Sequence, residues 1–142
     1  MARTLVFDVV YPHLPPAVWS AITTSGEIER WLMPNDFEPR VGHRFRLRAK
    51  PVPGWSGIVH GEVLELDPPR RMVWRWKSDW IDTTVTFTLD PVPEGTRLRL
   101  VHDGFKGIRG TVVSWMMGGG WKSILRKRLY EVLEGGRPKE AG

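Results

Sequence analysis

Alternation of polar and apolar residues between Arg44 and His102 restricts this chain more than any other feature. Arg44–Lys50 (RFRLRAK) sets Phe45, Leu47 and Ala49 against Arg44, Arg46 and Arg48. Arg71–Lys77 (RMVWRWK) sets Met72, Trp74 and Trp76 against Val73, Arg75 and Lys77. Ile81–Asp90 opposes Thr83, Val85, Phe87 and Leu89 to Thr84, Thr86 and Thr88, and Thr96–His102 opposes Leu98, Leu100 and His102 to Arg97, Arg99 and Val101. Gly57–Asp67 (GIVHGEVLELD) makes a further strand. Its preferred register turns Val59, Gly61 and Val63 inward and leaves His60 exposed, because Gly61 lets a helix approach the sheet. Period-two patterning with one apolar face belongs to an antiparallel sheet that is wet on its other side. Short connections, Pro68-Pro69 and a hairpin loop at Pro91–Gly95, make it a meander.

The flanks complete an α+β order. Thr4–Tyr11 (TLVFDVVY) is β-branched and aromatic, with Leu5, Phe7 and Val9 on one face. Pro15-Pro16 opens a helix through Ala17–Thr23, Ser25-Gly26 breaks it, and Glu27–Met33 forms a second short helix before Pro34. From Trp121 onward, Trp121, Ile124, Leu125, Leu129, Val132 and Leu133 recur on one helical face, with Lys122, Arg126, Lys127 and Glu131 opposite. Gly135-Gly136 and Pro138 supply a stop. The sheet's apolar face is expected to wrap this last helix. Gly118-Gly119-Gly120 would cost about 1 kcal/mol each inside a helix relative to alanine. The preferred reading is therefore a break there, with the helix starting near Gly120 or Trp121 and Thr111–Met117 forming a separate short helix or a lid. A flexible rim gating a cavity is the alternative.

The 142 residues fit one domain, expected over residues 1–136, with a loose tail at 137–142. Without cysteine, neither disulfides nor thiolate-held metal can staple it. No apolar run approaches the roughly 20 residues of a membrane span, and MARTLVFDVV lacks a signal-peptide pattern, so a soluble cytoplasmic protein without membrane insertion is expected. The net charge of +5 is read chiefly as a solubility feature.

The segments VWSAITTSGEIERWLMP, RVGHRF, GEVLELDPPRRMVWRW, VTFTLDPVPEGTRLRLVHDGF and GGGW with its amphipathic end, taken together, resemble the activator of heat-shock protein 90 ATPase homologue family. That family belongs to the START-like (SRPBCC) superfamily. The resemblance runs from Thr4 to Leu133. It implies the helix-grip, or Bet v 1-like, fold: a curved antiparallel sheet around a long C-terminal helix, two short helices after the first strand, and a hydrophobic ligand cavity between sheet and helix. It does not name a ligand, because this scaffold hosts many functions. The chain has no room for the additional N-terminal domain of eukaryotic co-chaperones of this kind, which weakens the inference of a chaperone partner.

Eight Trp in this length call for a thick aromatic core or an aromatic-lined cavity. Candidate ligand-binding residues are Trp31, Phe45, Trp55, Trp74, Trp76, Trp80, Phe87, His102, Trp115, Met116 and Trp121, since small-molecule pockets are mostly apolar with a few placed polar groups. Filling the core outright is the competing reading. His102, inward-facing, is a weak candidate for proton transfer; a hydrogen-bonded core histidine is the commoner outcome. His13, His43, His60 and His102 lack metal-ligand spacing, and neither a phosphate loop nor a nucleophile motif is present, so no metal and no cofactor are expected. Arg44, Arg46, Arg48, Arg75, Lys77, Arg97 and Arg99 cluster on the outer sheet face without interleaved aromatics, which argues against nucleic acid. The favoured function is a domain that binds a hydrophobic small molecule or lipid, more a carrier than an enzyme, as monomer or homodimer. A cyclase- or hydrolase-like enzyme using the same cavity, and a co-chaperone-like module with a protein partner, are the alternatives.

Overall fold

A computed structural model describes residues 3–51, 53 and 55–135; the tail expected at 137–142, Gly136 and Pro138 lie outside them. Six strands form one antiparallel sheet in the order β1-β6-β5-β4-β3-β2: β1 (Arg3–Tyr11), β2 (Arg44–Arg48), β3 (Ile58–Asp67), β4 (Arg71–Lys77), β5 (Asp82–Val92) and β6 (Gly95–Phe105). Strands β2 to β6 are the expected meander, and β1 closes the sheet by pairing with β6. Helices α1 (Pro15–Thr23) and α2 (Ser25–Trp31) bridge β1 to β2. The register lines up matching side chains across strands. Trp74, Val85, His102 and Leu5 stand in one inner row, and Glu62, Arg75, Thr84 and Asp103 in one outer row.

The core lies between this inner face and the C-terminal helix. Trp74 sits at its centre, in contact with Phe87, Phe45 and Phe37 at ring-centroid distances of 4.8, 5.1 and 5.5 Å. The expected helical face is buried at Trp121, Leu125, Leu129 and Val132, with Ile124 and Leu133 half-buried. Burying one such apolar side chain contributes about 1.5–3 kcal/mol. The Tyr11 hydroxyl, at the end of β1, donates to the Leu125 carbonyl at 2.6 Å and fastens strand to helix.

Several expectations are corrected. The C-terminal helix does not start at the glycines. α3 (Gly107–Ser123) runs through Gly118, Gly119 and Gly120, continues as a π-helical turn (Ile124–Arg128) and ends as α4 (Leu129–Gly135). Thr111–Met117 is the first half of that same helix rather than a separate one. Helix propagation is cooperative, and the well-buried turns that follow the glycines, from Trp121 to Val132, outweigh their intrinsic cost. The loop expected at Pro91–Gly95 shrinks to Pro93-Glu94 because both strands continue further. Ser25-Gly26 opens α2 rather than standing between helices. Gly61 does face inward, yet what it admits is the ring of Phe45, not a helix; a Cβ there would overlap that ring.

Gly61→Ala is therefore expected to destabilise the fold by about 1–3 kcal/mol through overpacking, and adding Phe45→Leu should restore part of the loss. Urea unfolding of the single and double variants measures both.

Candidate functional site

The two halves of the C-terminal helix meet the sheet differently. From Trp121 on, the helix is packed against the core. Before the glycines, α3 stands over a cavity of about 420 Å³, within the roughly 300–1,000 Å³ of small-molecule pockets. Its floor is Val59 of β3 and Trp76 of β4. Its sides are Met33 after α2, Pro53 and Trp55 before β3, and Ser78, Trp80 and Ile81 before β5. Val112, Val113, Met116 and Met117 of α3 roof it. Ser78 is the one polar residue type among these besides the indoles. A larger concavity, about 850 Å³, is a groove on the outer sheet face lined by Arg44, Arg46, His60, Glu62, Arg75 and Lys77 among others. It is wet and charged, and its Arg75 is already clamped by Asp82 at 2.6 and 2.9 Å. That pairing holds the Asp82 carboxyl below its ordinary range. The apolar cavity is the better candidate for an apolar ligand.

Of the candidate residues, Trp55, Trp76, Trp80 and Met116 line this cavity. Trp31, Phe45, Trp74 and Phe87 sit fully inside the core and are not part of its lining. The Trp31 indole donates to the Ala21 carbonyl, whereas Nε1 of Trp74 is buried without a partner among the described residues. Trp115 points away, largely exposed. Met33, Val59, Ser78, Ile81, Val112, Val113 and Met117 were not among the candidates. The pairs Val112/Met116 and Val113/Met117 stand at i, i+4 spacing, a signal that reading Thr111–Met117 as part of the long helix would have used.

The candidates His102 and Trp121 do not line the cavity; they pack behind Trp76, at ring-centroid distances of 5.4 and 5.6 Å. Both are buried, and their bonding fixes every proton. The Trp121 indole N–H donates to Nδ1 of His102 at 3.0 Å. Because an indole can only donate, Nδ1 is unprotonated and Nε2 carries the hydrogen. Nε2–H donates to Oγ1 of Thr83 at 2.7 Å, and that hydroxyl donates to the Trp76 carbonyl at 2.9 Å. A one-way chain thus joins the helix through β6 and β5 to β4, the strand that floors the cavity. Burial pushes the imidazole down to about 3, so it is neutral near pH 7. With both nitrogens engaged and no surface exposed, His102 is held in one tautomer and one orientation.

Among the described residues, no three His, Asp or Glu side chains cluster so as to hold a metal ion, and no helix is long and apolar enough to cross a membrane. The family model described as activator of Hsp90 ATPase homolog 1-like protein matches residues 13–134. Among solved structures, protein MLL2253 from Mesorhizobium loti is 33% identical, with a TM-score of 0.86 over 96% of this chain and 100% of its own. CalU16 from Micromonospora echinospora is 27% identical, with a TM-score of 0.73 over 94% of this chain and 77% of its own. The Aha1 dimer from Colwellia psychrerythraea, 20% identical with a TM-score of 0.81 over 96% and 99%, shares the fold. No curated protein matches the chain.

The buried histidine has a pH signature. The folded state holds His102 at about 3, against about 6.5 unfolded, so the unfolded chain binds the extra proton between those values. Stability from this group is whole above about pH 6.5 and falls as pH drops towards 3, by at most about 1.4 kcal/mol per unit. His102→Gln should be less stable than the parent at pH 7.5 and lose less on going to pH 5; urea midpoints at the two pH values read the difference.

Proposed function

Because this chain belongs to the activator of Hsp90 ATPase homolog 1-like family, within the START-like superfamily of helix-grip domains, we propose that it holds a hydrophobic small molecule or lipid chain in the cavity under α3. The observation that carries this reading is the cavity itself: a helix-roofed space lined by Trp, Met, Val and Ile, with one hydroxyl. A ligand burying about 300 Å² of apolar surface there gains about 7 kcal/mol before the costs of association. Even without those costs 7 kcal/mol corresponds to no tighter than about 10 μM, so the complex is weak, which suits a carrier that must also release. Ser78 and the Trp55 and Trp80 indoles are the groups placed to orient a polar end. With no carboxylate, imidazole or amine among the described lining residues, the site supports holding a molecule over acid/base chemistry.

α3 also suggests how the cavity is reached. Gly118 has only Leu5 near its missing side chain, and nothing lies within 4 Å of one at Gly119 or Gly120. No close approach therefore requires glycine at these three positions. Their remaining property is backbone freedom, placed where the roof half of the helix joins the packed half. The roof swings on this joint.

Two measurements test the reading. Val113→Trp fills the space beneath the roof; it should abolish fluorescence enhancement of 1-anilinonaphthalene-8-sulfonate and thermal stabilisation by long-chain fatty acids while the domain stays folded. Unchanged binding would refute the cavity as the site. Replacing Gly118, Gly119 and Gly120 with Ala should raise stability by up to about 1 kcal/mol per site and slow probe uptake in stopped-flow mixing.

A further inference from the structure

The outward side of α3 remains without a role in ligand holding. Ile108, Val112, Trp115 and Met116 succeed one another on one helical face, and they are 86%, 49%, 64% and 68% exposed. Scattered single apolar residues on a surface are ordinary, but a contiguous stripe signals an interaction site. Val112 and Met116 also roof the cavity, so the stripe runs into the cavity's margin, where Trp80 is itself 42% exposed. Lys122 continues the same line, seven residues after Trp115.

Charge is distributed just as unevenly. From Gly104 to Tyr130 the chain carries Lys106, Arg109, Lys122, Arg126, Lys127 and Arg128 and no Asp or Glu. Setting those six apart from the 21 Lys and Arg leaves 15 to face 16 Asp and Glu. The whole net positive charge of the protein therefore resides on this one segment. None of the six forms an ion pair among the described residues, whereas sheet cations such as Arg71, Arg75 and Arg99 are paired with carboxylates. Two carboxylates near the start of this segment are engaged elsewhere: Asp82 by Arg75 and Asp103 by the Thr4 hydroxyl.

We propose that the outward face of α3 docks the domain onto an anionic lipid surface, with the margin of the cavity against the bilayer. Aliphatic and Met side chains would enter the acyl boundary, Trp115 and Trp80 would sit at headgroup depth, and the flanking cations would meet lipid phosphates. A second copy fits this face less well, since a two-fold pairing of α3 would bring each copy's cations against the same cations of the other. Docking stands on this exposed face alone; its use, loading or delivering the cavity's molecule, rests on the ligand-holding reading above.

Flotation with phosphatidylcholine vesicles, with and without phosphatidylglycerol, tests it on the full chain. The protein should float with the phosphatidylglycerol vesicles, stay behind with phosphatidylcholine alone, and be released by high salt. Trp115→Asp, and separately the triple variant Lys106→Glu, Arg109→Glu and Lys122→Glu, should each weaken binding by about tenfold or more. All these positions are exposed, so both variants should keep the parent's melting temperature and its uptake of 1-anilinonaphthalene-8-sulfonate. That separates loss of docking from loss of the cavity. Absence of flotation, flotation that both variants leave unchanged, or a sedimentation-detected dimer that Trp115→Asp dissolves would each overturn the proposal.

Discussion

The hydrogen bond from the Trp121 indole to His102 decides how helix and sheet meet. An indole donates and cannot accept, and a backbone carbonyl accepts and cannot donate. With such groups at its two ends, the chain Trp121, His102, Thr83, Trp76 carbonyl has one possible direction. Each bond contributes only about 0.5–1.5 kcal/mol net. Their joint effect is on geometry: rotating the helix or slipping its register would leave buried donors and acceptors unsatisfied, at about 1–3 kcal/mol apiece. The apolar face of the helix tolerates several rotations; this polar chain tolerates one. It also stands at the boundary between packed core and open cavity, directly behind Trp76.

The two surfaces of the protein follow different electrostatic rules. On the outer sheet face, antiparallel register sets cations beside carboxylates, as in Arg75 with Asp82, Arg99 with Asp8 and Arg71 with Glu65. Such exposed pairs stabilise little. What they do is cancel one another's long-range field. The stretch from Gly104 to Tyr130 has no carboxylate of its own to cancel its six cations, so it attracts an anionic partner.

Much of the sheet was legible because its chemistry is local. Period-two alternation put Phe45, Trp74, Val85 and Leu98 inside, and the inward register of Val59, Gly61 and Val63 follows from the same rule. The family resemblance supplied the long-range gripping of the helix; the pairing of β1 with β6 emerged only from the structure. The helix start was misjudged because three glycines read as a break when propensity is counted alone; cooperative propagation from the buried turns after them overrides it. Candidate site residues divided according to depth along the sheet. Trp74 and Trp76 stand on the same face of β4, two residues apart, yet one is walled in by Phe37, Phe45 and Phe87 and the other meets the cavity. Strand periodicity gives the face. It carries no information on how far the helix stands off from it.

That stand-off is the property on which a helix-grip domain turns, and here one continuous helix supplies both values. Its second half has Trp121, Leu125, Leu129 and Val132 buried, and Tyr11 holds the π-helical turn by the Leu125 carbonyl. Its first half buries only Gly110 and Ser114 completely and turns Ile108, Trp115 and Met116 to the outside. A segment with little burial has a low local unfolding cost, since burial is what offsets conformational entropy. Gly118–Gly120 confine the loosening by separating the weakly held roof from the firmly held rod. Substituting alanine would extend the rod's order into the roof and stabilise the closed cavity. Under the proposed ligand-holding role, three glycines at that junction give the roof the backbone freedom that filling and emptying require.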